Sequence, residues 1–296
     1  MNLYVDDRTI PLSNLDKVLW PEDGITKADL INYFLQVAPF MLPHLEGRPL
    51  VITRYPDGIY GKSFYQKNRP PHTPEWVRTF LQRSRDGKAI EYLMAEGPAT
   101  LVWLANLAAI EIHPWLSRVD ALERPDLLIF DLDPAEPAGY QECLPVARLL
   151  RQVLEELGLE SYPKTSGATG LHVYVPVVPE HSYEEVRGFV EAVGYLLREA
   201  LPDLVTLERK VSARRGKVYI DYLQNVRGKT LVAPYCPRPR AGAPVSTPLM
   251  WEEVFASGPH DFTLRTVPAR LKLRGDPFAD AVGRSQVLPE KVGRLL

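Results

Sequence analysis

The sequence predicts an α+β protein, with mixed or antiparallel β-sheets flanked by helices, and three observations carry that prediction. From Leu127 onward, apolar strand patterns alternate with helical ones, the order of an α/β arrangement. Before Leu127, short β-rich runs come in hairpin-like pairs, which argues against a purely parallel sheet. Of the 296 residues, 45% are hydrophobic, enough for one large core or two moderate ones.

The first helix is expected to start at Thr26, an N-cap with Asp29 three residues on. It carries Leu30, Ile31, Phe34, Leu35 and Val37, and Pro39 or Pro43 should end it. Leu50 to Tyr55, Val77 to Leu81 and Ile90 to Met94 have strand character, and Ala99 to Ile110 is expected as a buried helix opened by Gly97 and Pro98. The second half then runs as strand Leu127 to Leu132, helix Gln141 to Leu157, strand Leu171 to Val177, helix Tyr183 to Ala200 and strand Val218 to Leu223. Ala233 to Pro248, rich in Pro, Gly and Ala, is expected as an extended loop.

Lys and Arg number 35 against 37 Asp and Glu, a formal net charge of -2, which excludes a generally basic protein. Any contact with nucleic acid must therefore come from a local patch. The two cysteines, Cys143 and Cys236, match neither a disulfide framework nor a zinc site built from paired cysteines, and a reducing compartment fits them best. No apolar run approaches the roughly 18 residues of a membrane span, so a soluble, cytoplasmic protein without a membrane partner is expected.

The chemistry concentrates in three segments. In Leu127-Leu128-Ile129-Phe130-Asp131-Leu132-Asp133-Pro134, two acids spaced by two project from the same strand face. Side by side they repel unless a cation lies between them. Pro134 is expected to close the strand and leave the pair at a sheet edge within reach of substrate. The residues alone allow an equal alternative, a solvated strand end followed by a turn. A third acid, Asp221, sits in the apolar run Lys217-Val218-Tyr219-Ile220-Asp221-Tyr222-Leu223, where a carboxylate is costly without a partner. Taken singly it is a hydrogen-bonded structural Asp; with the other two it could complete a two-metal site for Mg2+ or Mn2+, the ions about 3.5 to 4 Å apart. The third segment is the loop Lys164-Thr165-Ser166-Gly167-Ala168-Thr169-Gly170-Leu171-His172. Its glycines let backbone N–H groups approach an anion, and Ser166 and His172 add side-chain donors, the makings of a triphosphate cradle. A tight turn with His172 satisfied in the core is the plainer alternative.

Together, the Asp-x-Asp strand, the Ser-Gly-x-x-Gly-x-His loop and the distal Asp resemble the archaeo-eukaryotic primase superfamily. More narrowly, Leu15-Asp16-Lys17-Val18-Leu19-Trp20-Pro21, Arg54-Tyr55-Pro56-Asp57-Gly58, Phe64-Tyr65-Gln66-Lys67-Asn68, Glu111-Ile112-His113-Pro114-Trp115 and Gly242-Ala243-Pro244-Val245-Ser246-Thr247-Pro248 resemble the polymerase domain of the bacterial ligase of non-homologous end joining, here in stand-alone form. The resemblance implies a primase-polymerase catalytic core and a single domain over residues 1–296. Within it, about 1–120 would bind the DNA end, about 121–250 would hold metal and nucleotide, and 251–296 would form a C-terminal extension. It makes Asp131, Asp133 and Asp221 the catalytic metal ligands. Ser166, Gly167, Gly170, His172, Arg238 and Arg54 become nucleotide-binding residues. Asn14, Lys17 and Lys27 form a pocket for a 5'-phosphate on DNA, with Phe64 stacking on a template base beside Lys67 and with His113 near the metals.

Two departures stand out. Cys236 takes a position where the family commonly has Ser, and Ala168-Thr169 replaces a loop Lys, so that a cation such as Lys164 would have to compensate at the phosphate. The implied reaction is metal-dependent addition of NTPs or dNTPs, ribonucleotides preferred, to DNA ends and short 5'-phosphorylated gaps in double-strand break repair. A Ku-like protein and a separate DNA ligase would be its partners, near the nucleoid. The rivals are a primase-polymerase for primer synthesis or excision-repair gap filling, a non-catalytic DNA-end-binding module and a metal-dependent phosphoesterase.

Overall fold

A computed structural model of the protein describes residues 1–83 and 87–289. In chain order the elements are β1 (Asn2–Val5), β2 (Arg8–Pro11), β3 (Val18–Trp20), β4 (Ile25–Thr26), α1 (Lys27–Met41), β5 (Leu50–Arg54), β6 (Phe64–Gln66), β7 (Thr79–Arg83), β8 (Ala89–Leu93), α2 (Pro98–Asn106) and β9 (Ala109–Pro114). They continue with β10 (Leu127–Pro134), α3 (Tyr140–Glu156), β11 (Tyr162–Thr165), β12 (Leu171–Pro176), α4 (Tyr183–Ala200), β13 (Val205–Thr206), β14 (Val218–Ile220), β15 (Cys236–Pro237), β16 (Val245–Ser246), α5 (Trp251–Val254) and α6 (Val267–Arg274). The architecture is α+β with mixed and antiparallel sheets, as the sequence pattern predicts. The chain divides into two compact units, one of Met1–Asp120, Thr230–Ser246 and His260–Asp276, the other of Ala121–Lys229, Thr247–Pro259 and Pro277–Leu296. Of the C-terminal extension expected over 251–296, residues 290–296 lie outside the described residues.

In the first unit, β5 pairs antiparallel with β6, β8 and β9, and β7 pairs with β8. Helix α1 begins as expected: Thr26 Oγ accepts from the Asp29 N–H, and the Asp29 carboxylate accepts from the Thr26 N–H at 2.8 Å. Pro39 does not end it. The helix runs to Met41, and the Leu42 N–H still reaches the Ala38 carbonyl. Pro39 removes a single donor, and full burial of Val37, Ala38 and Met41 offsets that loss. The helix expected over Ala99 to Ile110 stops at Asn106, because Ala108 turns into the left-handed region (φ 55°) and the chain leaves as β9. Both pieces are mostly buried, so apolar periodicity could not separate them.

The second unit is built on a five-stranded sheet of order β11-β12-β10-β14-β13, antiparallel except for the β13–β14 pair. Helices α3 and α4 pack on it, with Gly194 of α4 against Ile220. Ile220 pairs with Leu132, so α4 covers the face those two residues share, and Asp131 and Asp133 project from the other. Two expectations are corrected here. The acids sit near the end of the middle strand rather than at a sheet edge, since β10 continues through Pro134 and pairs there with Val218. Asp221 lies just past β14 and caps the 3-10 turn Tyr222–Asn225, rather than standing inside a strand to Leu223. That turn places the buried Asn225 side chain against β10, where it accepts from the Ile129 N–H (2.9 Å) and donates to the Ile129 carbonyl (2.8 Å). An amide thus stands in for a neighbouring strand.

The loop expected over Ala233 to Pro248 contains the β15–β16 pair. Its last residues form an isolated bridge with β11, Lys164 opposite Pro248. Among the described residues no helix is long and apolar enough to cross a membrane.

Candidate active site

The register of the second sheet lines up one row of side chains across three strands and the residue that follows a fourth. Lys164 on β11 pairs with His172 on β12, and His172 pairs with Asp131 on β10. Beyond β14, the Asp221 N–H donates to the Asp131 carbonyl at 3.0 Å, continuing the register set by Leu132 opposite Ile220. Directly opposed residues share a face, and Asp133 follows Asp131 by two, so the three carboxylates occupy one side of the sheet. The row is connected: the Lys164 ammonium lies 2.8 Å from His172 Nδ1, and His172 Nε2 lies 3.4 Å from Asp131 Oδ1.

The electrostatics follow from this crowding. Burial raises the Asp133 carboxyl above the usual carboxylate range, the Asp221 charge raises it further, and Arg214 opposes both. Asp221 is braced by a hydrogen bond from the Tyr219 hydroxyl (3.2 Å) and another from the Leu223 N–H (3.1 Å). Arg214 was not singled out from sequence. Its guanidinium sits 3.4 Å above the Tyr219 ring and is tied to the carbonyls of Glu208 and Arg209. The signal available was the basic run Arg209-Lys210-Val211-Ser212-Ala213-Arg214-Arg215-Gly216-Lys217 immediately before β14.

The glycine loop is closed on itself. Ser166 Oγ accepts from the N–H groups of Ala168 (3.1 Å) and Gly170 (3.0 Å), while the Ser166 N–H donates to the Gly170 carbonyl. Gly167 takes φ 72°, a conformation that favours glycine, and a Cβ on Gly170 would run into the Leu132 carbonyl oxygen. The loop therefore folds tightly against β10 at the end that carries the acids. Lys164 does not compensate for the loop lysine as the sequence reading expected. It is fully buried, with its ammonium on the His172 ring nitrogen.

As a donor set for a hard divalent cation the residues fit, being three carboxylates on one face with one pushed up by its neighbour's charge. Among the described residues, however, no three or more His, Cys, Asp or Glu side chains converge on a common cation position.

The remaining candidates lie in the first unit. Asn14 has φ 51°, the Lys17 N–H donates to its carbonyl (3.2 Å), and the Lys27 N–H donates in turn to the Lys17 carbonyl (2.9 Å). This turn brings Lys17 to the first turn of α1. Lys27 is buried with its ammonium on the Asn106 carbonyl (3.1 Å), and Lys17 pairs with Asp57 at 2.7 Å. Burial lowers the Lys27 pKa, and the Lys17 charge lowers it further. Two close cations at a helix N-terminus make an anion-attracting corner. Phe64 and Tyr65 on β6 are exposed, with the Lys62 ammonium 5.4 Å from the Phe64 ring; Lys67 is exposed just beyond them. Arg54, opposite Phe64, is held by the Leu107 carbonyl (3.0 Å) and by Gln66 (3.2 Å).

Arg238 donates through Nε to Glu111 at 2.9 Å, and the Tyr55 hydroxyl donates to the same carboxylate at 3.0 Å, with His113 Nε2 3.8 Å away. From sequence Glu111 is only one residue of a motif; the structure makes it the anchor of Arg238. Cys236 is explained as well. Its sulfur accepts from the Ile112 N–H and donates to the Ile110 carbonyl, so it binds the β9 backbone.

The family described as LigD, primase-polymerase domain, matches residues 26–278. The bifunctional non-homologous end joining protein LigD of Bacillus subtilis is 37% identical over 273 residues, which is 92% of this chain and 44% of that protein. The multifunctional non-homologous end joining protein LigD of Mycolicibacterium smegmatis is 35% identical over 247 residues, 83% of this chain and 32% of that protein. The chain thus spans less than half the length of these relatives. Among solved structures, the polymerase domain of Mycobacterium tuberculosis ligase D in complex with DNA superposes with a TM-score of 0.87 at 33% identity, covering 93% of this chain and 99% of that one. Sheet register, glycine loop and family match agree, and the chain belongs to the LigD primase-polymerase domain family, a family of nucleotidyltransferases.

Proposed function

We propose that the protein is a metal-dependent polymerase that extends DNA ends and fills short gaps bearing a 5'-phosphate, with ribonucleotides preferred, in double-strand break repair by non-homologous end joining. The observation that carries the reading is the single sheet face shared by Asp131, Asp133 and Asp221. In the reaction a primer 3'-hydroxyl attacks the α-phosphorus of a nucleoside triphosphate and pyrophosphate leaves. Asp131, Asp133 and Asp221 would hold a pair of Mg2+ or Mn2+ ions. When bound, that pair lowers the pKa of the attacking hydroxyl and neutralises charge on the leaving oxygen.

The chain's own groups do the rest. His172 and the Ser166 hydroxyl donate to the triphosphate, Gly167 and Gly170 let the backbone approach it, and the cations of Arg238 and Arg54 serve the nucleotide as the resemblance implies. The corner of Asn14, Lys17 and Lys27 takes the 5'-phosphate. Phe64 offers a stacking surface to a template base, with Lys67 nearby, a sequence-tolerant way to hold DNA. His113 is assigned beside the metals and the DNA on the resemblance alone. A Ku-like end-binding protein and a separate DNA ligase belong to the same reading, supported by the end-joining names of the relatives.

The test is a gapped duplex with a 5'-phosphate, supplied with labelled ribo- or deoxyribonucleotides and with magnesium or manganese. Asp131→Asn and Asp133→Asn are each expected to abolish incorporation while DNA binding persists. An active purified variant, or incorporation that survives chelation, would reject the assignment.

A further inference from the structure

Lys164 is an unusual residue for the reaction to leave unused. Its side chain is wholly buried in the second unit, yet a lysine at neutral pH ordinarily ends in an ammonium. That ammonium lies 2.8 Å from His172 Nδ1 and 5.5 Å from the Tyr174 ring centroid. Tyr174 is backed in turn by Phe278, 5.6 Å away and almost fully buried. A buried ammonium has donors and no acceptor, and burying one is costly unless each donor is used. The imidazole nitrogen facing Lys164 must therefore be the acceptor, and the ring proton of neutral His172 is left on Nε2.

We propose that Lys164 is a positioning residue, which fixes His172 as the Nε2–H tautomer so that a donor faces the acid-bearing strand. The contact on the other side of the ring does not make this choice. Asp131 Oδ1 is 3.4 Å from Nε2, longer than an ordinary N–H···O bond, whereas the Lys164 contact has full hydrogen-bond length. Neutral imidazole has two tautomers, and the one present is set by the bond made at the other nitrogen. The strand register supplies the rigidity: Lys164 and His172 are directly opposed on β11 and β12, and β11 is pinned beyond them by Thr165, whose N–H donates to the Thr247 carbonyl at 3.0 Å. This also gives a reason for a lysine at a position from which its charge cannot reach solvent.

The consequence for catalysis rests on the reading of His172 as a donor to the triphosphate; the tautomer itself does not. In 15N-detected NMR of ring-labelled histidine, the wild-type protein is expected to show His172 with Nε2 protonated and Nδ1 bare. Lys164→Met should give a mixture of tautomers, and Lys164→Arg, which keeps a donor, should restore the single pattern. In parallel, Lys164→Met is expected to lower kcat/KM for the nucleotide by about 10- to 100-fold, mainly through KM and with DNA binding unchanged, the usual size of losing a partner behind a functional histidine. A wild-type signal with Nδ1 protonated would overturn the proposal without any variant, as would a Lys164→Met protein that keeps the single wild-type pattern. His172→Ala separates the two levels: if it incorporates nucleotide with unaltered KM, the phosphate role of His172 fails while the tautomer result stands.

Discussion

Replacing Glu111 by glutamine removes one negative charge from the interior of the first unit while keeping the shape of the side chain. Burial works against that charge, yet His113, Arg238 and the Tyr55 hydroxyl outweigh it and bring the carboxyl down to about 2 from an ordinary 4.5. At 1.36 kcal/mol per pH unit, the difference corresponds to about 3 kcal/mol of stability. The folded pKa is the lower one, so this stability is fully present above the unfolded value of 4.5 and is lost as pH falls toward 2. Urea unfolding followed by tryptophan fluorescence reports mainly on this unit, which holds Trp20, Trp76, Trp103 and Trp115 and lacks only Trp251. Glu111→Gln is expected to cost about 3 kcal/mol at pH 7 and much less near pH 2.5, because there the unfolded carboxyl is already protonated and folding must release that proton. Equal destabilisation at both pH values would refute the argument, since a packing defect does not titrate.

The lysine corner predicts that Lys17→Ala with Lys27→Ala abolishes the preference for gaps bearing a 5'-phosphate while leaving incorporation on open primer ends; an unchanged preference in a competition assay removes the pocket. Asn225→Ala leaves the buried N–H and carbonyl of Ile129 without their partner and is expected to destabilise the second unit by about 3 kcal/mol, with a loss under 1 kcal/mol counting against the strand-substitute role. Arg214→Ala removes the charge that holds Asp133 down against burial and Asp221, so the Asp133 carboxyl should titrate at higher pH. A 13C titration of Asp133 in chelator-treated protein measures this, and an unmoved midpoint would show that Arg214 does not act on Asp133.

Elements with a local code were legible in the sequence. The Thr26–Asp29 capping box set the start of α1, and the amphipathic period of Tyr183–Ala200 fixed α4 to the residue. Where burial is complete the code disappears. Ala99 to Ile110 is apolar but for Thr100 and Asn106, and nothing in its pattern shows that Ala108 breaks a helix to begin β9. Two-residue strands such as β15 and β16 lie below any periodicity, since they are made by pairing across a loop. In the candidate site, the acids and His172 were visible because such side chains are expensive to bury, and the loop because its glycines mark an unusual backbone. Glu111 and Asn225 gain their roles only through partners far along the chain, Arg238 for one and Ile129 for the other.

The misplaced expectation about the sheet edge explains why the site is built as it is. An edge strand has one neighbour, so an acid on it could meet side chains from one other segment only. Asp131 lies near the end of the middle strand, where β12 brings His172 to one side and the chain leaving β14 brings Asp221 to the other. Three groups distant in sequence thus fall in one row, two of them on strands and Asp221 on the first residue past one, and backbone hydrogen bonds set their spacing. The same geometry keeps the row reachable, because α4 covers the opposite face and β10 ends at Pro134, one residue past Asp133. Asp133, the last acid before the strand ends, is exposed there. A central position would be a poor place for two neighbouring carboxylates if they were only structural. Both lie on the face away from α4, and Asp133 is charged with difficulty beside Asp221. Under the proposed function, a bound cation would offset that repulsion.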